Sequence, residues 1–311
     1  MRLFTPFNPI VMAGYFKHTL LKIISIFSVV RGYNIGLVVL AQYLTSVFIL
    51  AHETPMLEVL LDPSLFVLVL STVGAIASGY IINNFYDQEK DLINRPQKSI
   101  LDHMVSQKTK LSLYFVINIL ALLFSSLISL RAGLFFAGYL FFIWLYSHKI
   151  KKQPVLGNLT SALLSITPFF AILLYFKNYN LLIFVFGFYL FLILAIRELV
   201  KDLENIKGDL TLNYKTVPVV YGERATKLMM SILIALNCLV SVMLVLYFEL
   251  RLMHSFFIGA TVYLILLLFM IWNAQRQQDY NRIHNFLKLL ILAGVFSILL
   301  LDPALILNKI F

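Results

Sequence analysis

The stretch LFVLVLSTVGAIASGYIINNFYDQEKD, residues 65–91, determines the fold class. Its first part, residues 65–86, contains no Asp, Glu, Lys or Arg. That run is long enough to cross a bilayer as a helix, which needs about 20 mostly apolar residues. Its last part is acidic, because Asp87, Glu89 and Asp91 come directly after the apolar run. A membrane helix that ends in a group of carboxylates is therefore the feature from which the rest of the chain is interpreted.

The whole chain has the composition of a membrane protein. Of its 311 residues, 60% are hydrophobic and only 13% are charged, about half the charged share of a soluble domain. This composition excludes a soluble globule, a disordered chain, a coiled coil and a collagen, and the single Cys238 excludes a disulfide scaffold. We expect an all-α integral membrane protein with nine transmembrane helices in a single bundle, at residues 23–50, 65–86, 111–130, 132–147, 153–176, 178–196, 228–248, 252–275 and 289–308.

The basic residues predict how this bundle is oriented. Of the 25 Lys and Arg residues, 20 fall in segments 1–22, 86–110, 148–152, 197–227 and 276–288. Because cytoplasmic loops carry the excess of Lys and Arg, these segments are expected in the cytoplasm and the C-terminus outside. We therefore predict a cytoplasmic N-terminal segment at 1–22, a transmembrane domain at 23–308, and a multi-pass protein of the inner or plasma membrane.

Two of the predicted cytoplasmic segments carry regularly spaced acids. Asn83, Asp87 and Asp91 are four residues apart, so they share one face of a helix. Glu198 and Asp202 repeat that spacing after the sixth span, in the sequence RELVKDLENIKGD. Both groups follow even-numbered spans and therefore lie at the same membrane edge. Oxygen ligands without cysteine or paired histidine suit Mg²⁺, which commonly takes one or two carboxylates plus phosphate oxygens. The pattern predicts a magnesium–diphosphate site.

Two other interpretations of these acids were considered. Charged residues can simply mark solvated loops, but regular spacing on two helix ends disfavours that interpretation. An ion-coupled transporter also uses intramembrane acids, but near the bilayer midplane rather than at helix ends on one side. Nothing in the sequence indicates a nucleic-acid partner.

The two acidic segments resemble the motifs of the UbiA superfamily of intramembrane prenyltransferases, which have nine transmembrane helices. The family motif N-D-x-x-D-x-x-x-D is matched by Asn83, Asp87 and Asp91, with Asn84 where the family has Asp. The second family motif, D-x-x-x-D followed by further acids, begins here with Glu198. Shorter similarities lie at residues 91–96, 145–147, 157–159 and 216–222.

The resemblance implies transfer of a prenyl group from a prenyl diphosphate to a lipophilic acceptor within the lipid membrane, with Mg²⁺ as cofactor. It implies that the metal ligands are Asp87, Asp91, Glu198, Asp202 and Asp209. It implies that the catalytic residues are Asp87, Asp91, Asp202 and Lys149. The implied substrate-binding residues are Arg31, Asn34, Asn83, Tyr146, Lys152, Asn158, Arg197 and Lys201.

The lysine that contacts the diphosphate is left open by the sequence. Many family members have a lysine four residues after the tyrosine that corresponds to Tyr146. This chain instead has Lys149, Lys151 and Lys152, at three, five and six residues after it.

Residues 197–209 also bear on the acceptor. Their pattern, R-E-x-x-K-D-x-E-x-x-x-G-D, resembles the ether-lipid branch of the family, which acts on geranylgeranylglyceryl phosphate. That resemblance implies a geranylgeranyl donor and a glycerol hydroxyl as acceptor. The alternative is an aromatic acceptor, as in the attachment of quinone, haem or chlorophyll side chains.

Overall fold

The computed structural model describes residues 21–51 and 53–301, and most of these residues are helical. Within this part of the chain, nine helices are long and apolar enough to cross a membrane, which confirms the predicted fold class. They are α1 Gly32–Thr45 with its π-helical continuation Ser46–Leu50, α2 Pro63–Tyr86, α3 Gln107–Ile128, α4 Leu130–His148, α5 Leu156–Phe176, α6 Leu181–Glu204, α7 Val217–Tyr247, α8 Met253–Asn273 and α9 Gln277–Ser297. The predicted N-terminal segment and the end of the last span lie largely outside the described residues.

The helices form two packed groups, and the two groups together close into one ring. Helix α2 packs against α1, α3, α4 and α5 around buried side chains such as Leu65 and Phe136. Helix α6 packs against α7 and α9, with α8 completing a second core around Ile193 and Leu264. Helix α9 returns to contact α1, which closes the ring. Because α2 and α6 are the most buried of the nine spans, the two acidic motifs follow the central helix of each group.

The observed helices begin and end at different residues from several of the uncharged runs. Helix α9 starts at Gln277, whereas the sequence placed the last span at 289–308 and residues 276–288 in a loop. That prediction was wrong because the first turns of α9 are amphipathic. Tyr280 and Ile283 are buried while Asn281 and Arg282 are exposed, so charged residues interrupt the run without ending the helix.

Short helices fill the connections that follow α2 and α6. Gln88–Asn94 and Pro96–Asp102 lie between α2 and α3, and Ile206–Thr211 lies between α6 and α7. Asp91 lies on the first of these short helices and Asp209 on the last. The motifs are therefore held in helical turns and not in irregular loops.

Two side chains satisfy backbone carbonyls of α5 inside the bundle. Pro168 interrupts α5, and its missing N–H leaves the carbonyl of Leu164 without a helical donor. The hydroxyl of Tyr139 donates to that carbonyl at 3.1 Å. The side chain of Gln42 donates to the carbonyl of Pro168 at 2.9 Å. These bonds hold α1 and α4 against α5, where an apolar surrounding makes an unpaired backbone group unfavourable.

Candidate active site

The connections that follow α2 and α6 are joined to each other. The side-chain oxygen of Asn94 accepts a hydrogen bond from the backbone N–H of Gly208 at 3.1 Å. The guanidinium of Arg95 donates to Glu204 at 2.8 Å. A Cβ at Gly208 would lie 2.9 Å from Asn94 Cγ, so a larger residue there would displace the Asn94 side chain or shift the backbone. We call these two contacts, together with the ion pair of Lys90 and Asp209, the motif clasp.

Asp209 is an anchor of the clasp. Its side chain is fully buried, one carboxylate oxygen pairs with Lys90, and the other accepts from Thr216 at 3.2 Å. The Nζ atoms of Lys90 and Lys152 each lie 4.9 Å from the ring centroid of Tyr214. Asp209 was predicted as a metal ligand, and that role stays a prediction, since both of its oxygens are engaged by the protein.

The first motif presents Asp87 and Asn83 to one lysine. Lys151 Nζ donates to Asp87 Oδ1 at 2.6 Å and to Asn83 Oδ1 at 3.3 Å. Burial alone would raise the pKa of Asp87, but the charges of Lys151 and Lys90 outweigh it and hold that pKa below its usual range. Burial and the neighbouring charge of Asp87 raise the pKa of Asp91. Asp87 is therefore the more readily ionised of the two acids.

The second motif is held from α5 and from within α6. Asn158 on α5 donates to Asp202 Oδ2 at 2.7 Å, and Lys201 donates to Glu198 Oε2 at 3.0 Å. Asn83 of the first motif, Glu198 of the second motif and Tyr146 on α4 line the same cavity. Residues of both motifs therefore lie at one site, and the metal-binding role of their acids stays a prediction.

The three candidate lysines after Tyr146 have different surroundings. Lys149 and Lys152 are exposed, whereas the side chain of Lys151 is 6% exposed and pairs with Asp87. The chain leaves the α-helix at Lys149 and continues as a 3₁₀ turn, Ile150–Lys152. The sequence did not distinguish Lys151 from Lys149 and Lys152, because the residue spacing of an α-helix does not apply within that 3₁₀ turn.

A cavity of about 570 Å³ extends from the acidic motifs into the bundle. Six predicted site residues line it: Arg31, Asn34, Asn83, Tyr146, Arg197 and Lys201, and the predicted ligand Glu198 lines it as well. Deeper in the bundle its walls are apolar and aromatic, including Phe169, Phe186 and Phe257. The cavity thus joins a charged end to a hydrophobic interior.

Arg31 reaches this cavity from a break in the first helix. It lies between the helical segment 21–29 and α1, in the left-handed region at φ 51° and ψ 55°, which is unfavourable for a residue with a Cβ. Its guanidinium carbon lies 5.2 Å from the centroid of the Tyr80 ring, and Asn34 donates to the Tyr80 hydroxyl at 3.2 Å. A strained backbone at a cavity wall is typical of functional positions.

Asn84 is directed into a different, buried network. It accepts from Lys110 Nζ at 2.8 Å and donates to Asp102 Oδ2 at 3.1 Å, and Ser28 donates to the other oxygen of Asp102 at 3.0 Å. Asn84 therefore joins α2 to α3 and to the segment before α1. The sequence gave no sign of this role, because it requires knowing which face of α2 packs against Lys110.

His284 is a second residue that the sequence analysis missed. It lies on α9, buried, with Nδ1 2.8 Å from Glu204, and Arg197 contacts its other ring nitrogen at 3.4 Å. The sequence predicts a loop at His284, and a loop position gives no reason to expect a buried contact with Glu204. The missing signal was the amphipathic start of α9.

The donor atoms of both motifs suit Mg²⁺. They are oxygens of carboxylates and amides, the ligands that Mg²⁺ prefers. Among the described residues, no three acids, histidines or cysteines converge into a complete ligand set. A magnesium ion that arrives with a diphosphate needs only one or two protein carboxylates. Asp87, which pairs with Lys151, and Asp202, which accepts from Asn158, are the two carboxylates we assign to that requirement.

Relatives of this chain are known. It is 24% identical over 268 residues to the digeranylgeranylglyceryl phosphate synthase of Methanobrevibacter smithii, covering 84% of this chain and 91% of the relative. It is 31% identical over 173 residues to the synthase of that name from Methanosphaera stadtmanae, covering 56% of this chain and 63% of the relative.

Solved structures share the fold. A structure of digeranylgeranylglyceryl phosphate synthase superposes with a TM-score of 0.68 at 19% identity, covering 89% of this chain and 97% of the other. A UbiA homologue from Archaeoglobus fulgidus, bound to GPP and Mg²⁺, superposes with a TM-score of 0.64 at 16% identity, covering 88% and 99%. The model of the UbiA prenyltransferase family matches residues 39–296, most of the chain. The protein therefore belongs to the UbiA prenyltransferase family and is a membrane-embedded prenyltransferase.

Proposed function

We propose that the protein transfers a geranylgeranyl group from its diphosphate to the glycerol hydroxyl of geranylgeranylglyceryl phosphate, with Mg²⁺. The observation that carries the proposal is that residues of both motifs, Asn83 and Glu198, line the charged end of an otherwise apolar cavity. The synthase names of the relatives from Methanobrevibacter smithii and Methanosphaera stadtmanae favour this acceptor over an aromatic one.

In this proposal Asp87, Asp91, Glu198 and Asp202 hold Mg²⁺, and Asp209 keeps their connections in place. Bound Mg²⁺ would neutralise the negative charge that develops on the departing diphosphate. Of the three candidate lysines, we assign the diphosphate contact to Lys151. Lys151 already lies beside Asp87, and its flexible ammonium can turn to phosphate oxygens without leaving the site.

The apolar walls of the cavity would surround the prenyl chain. The bond between the prenyl C1 and the diphosphate oxygen breaks, a bond from C1 to the glycerol oxygen forms, and the hydroxyl proton is released. The allylic carbon carries positive charge during this exchange, so water must be kept away from it. The cavity does this with apolar walls, and the faces of Phe186, Tyr189 and Phe257 can stabilise a nearby cation.

Substitution of the acids tests the metal site. Asp87→Asn and Asp202→Asn should each abolish Mg²⁺-dependent release of diphosphate by protein in membranes, while insertion and yield are unchanged. Glu89→Gln is the matched control, because Glu89 is an exposed acid on the same short helix as Asp91. Full activity of both Asp variants would show that these acids do not hold the metal.

An acceptor panel tests the substrate. Labelled geranylgeranyl diphosphate is offered with geranylgeranylglyceryl phosphate, 4-hydroxybenzoate or dihydroxynaphthoate, and the products are separated by mass. We expect label on the glyceryl phosphate. Label on an aromatic compound alone would support the alternative acceptor class.

We also propose that the charged end of the cavity faces the cytoplasm, as the distribution of basic residues indicates. Lys207 is exposed beside the motif clasp, so a cysteine there can report its side of the membrane. Lys207→Cys, in a Cys238→Ala background, should react with an impermeant maleimide in inside-out vesicles only. Reaction only in right-side-out vesicles would reverse the assignment.

A further inference from the structure

A second cavity of about 600 Å³ adjoins the first at its charged end. It lies between the segment before α1, the helix Pro96–Asp102 and the beginning of α9. We call it the basic cavity, because five cationic side chains line it with a single carboxylate, Glu204: Arg31, Arg95, Lys98, Arg197 and Lys288. Neutral donors, including Ser28, Asn94 and Asn281, complete its wall.

Within the described residues, the cations that line the basic cavity outnumber its carboxylates. Glu204 is already paired, with Arg95 at 2.8 Å and with His284 at 2.8 Å. Among the residues that the structure describes, no salt bridge joins the other four cations to a carboxylate. Burial and the charge of Arg31 lower the pKa of Lys98. An anion in this cavity would relieve the mutual repulsion of these cations.

The two cavities share part of their walls. Arg31, Tyr33, Arg197 and Lys288 line both, so a molecule with its anionic group in the basic cavity can extend a neighbouring group toward the charged end of the first. The rim carries Phe27 and Tyr33, which are exposed by 60% and 63% and offer apolar surface to a lipid chain. The arrangement therefore suits a molecule with a phosphate, a short polar linker and a hydrocarbon tail.

We propose that the basic cavity binds the phosphate of the acceptor, and that Lys98 and Lys288 determine specificity for a phosphorylated acceptor. This inference rests on the proposed function, since it assigns a place to the acceptor of that reaction. It separates the two anionic groups of the reaction. The diphosphate lies with the two acidic motifs and Lys151, while the acceptor phosphate lies on the other side of Arg31.

Kinetics with two acceptors test the proposal. Lys98→Gln and Lys288→Gln should each raise the KM for geranylgeranylglyceryl phosphate about tenfold or more, as expected for loss of a hydrogen bond to a charged group. For Lys98→Gln, whose lysine lines the basic cavity and not the first one, the KM for geranylgeranyl diphosphate should not change. The turnover of geranylgeranylglycerol, which lacks the phosphate, should be the same in Lys98→Gln as in the unaltered protein. Lys98→Arg and Lys288→Arg should restore binding of the phosphorylated acceptor.

Lys108→Gln is the control, because Lys108 is an exposed cation at the start of α3 and lines neither cavity. Thermal stability of each variant shows whether the fold is intact. An unchanged KM for the phosphorylated acceptor, or a higher KM for the diphosphate instead, would overturn this inference while the proposed function stands. Failure of the unaltered protein to prenylate geranylgeranylglyceryl phosphate would overturn both.

Discussion

Gly208→Ala is expected to lower kcat/KM by about 10- to 100-fold, because it opens the contact that joins the two acidic motifs. An alanine Cβ at this position would lie 2.9 Å from Asn94 Cγ and 3.0 Å from Asn94 Oδ1. Either the connection after α6 shifts by about half an ångström, or the Asn94 side chain rotates away. Both responses break the hydrogen bond from the Gly208 N–H to Asn94.

The effect of Gly208→Ala on stability is the sum of opposing contributions. Overpacking costs about 1–3 kcal/mol and loss of the hydrogen bond about 0.5–1.5 kcal/mol. Alanine in place of glycine within a helix returns about 1 kcal/mol. Global stability should therefore change by only a few kcal/mol. Activity is more sensitive, since a displacement of about 1 Å in a reacting geometry can reduce the rate about 100-fold.

The assay is a double-mutant cycle with Asn94→Ala. That change alone removes the hydrogen bond, and it also removes the group with which the alanine at 208 collides. Adding Gly208→Ala to Asn94→Ala should therefore cause little further loss of activity. Gly138→Ala is the control, because nothing lies within 4 Å of a Cβ at this position on α4. If Gly208→Ala is fully active, or if the two effects multiply, the clasp does not position the motifs.

Two further predictions concern lysines and the buried network. Lys151→Gln should raise the KM for the prenyl diphosphate about tenfold or more, while Lys149→Gln should not, and equal effects in a steady-state assay would show that Lys151 is not the diphosphate lysine. Asn84→Asp would bring two carboxylates together and should destabilise the protein by about 3 kcal/mol, seen as a lower Tm. Adding Asp102→Asn should restore the Tm, because one amide then faces one carboxylate again. No recovery would mean that Asn84 does not act through Asp102.

The sequence predicted the helices and their order because apolar runs are set by the membrane itself. The connections that follow α2 and α6 contact each other at one edge of the bundle, and a shared metal site of their acids stays a prediction. Helix ends were less predictable: at α9, residues such as Arg282 lie on an exposed face of a continuing helix. Charge alone does not distinguish such a face from a loop.

Side-chain partners depend on contacts between distant segments, and the sequence could not supply them. Asn94 and Gly208 are 114 residues apart in the chain, and nothing in either local pattern indicates the other. The same holds for Asn84, whose neighbour Asn83 faces the cavity while Asn84 faces Lys110. Two adjacent asparagines on one helix therefore have different surroundings, because successive residues point about 100° apart.

The pairing of acids with lysines explains how so many carboxylates can be held at one end of an apolar bundle. Buried acids are unfavourable unless they are paired, and Lys151, Lys201 and Lys90 pair with Asp87, Glu198 and Asp209. Lysine suits this arrangement better than arginine, because an ammonium on a flexible chain is not held in a fixed two-point geometry. When a metal-bound diphosphate enters, the acids can turn to the metal and Lys151 and Lys201 to phosphate oxygens. Every charge would then keep a partner, so the site could fill without leaving a buried charge unpaired.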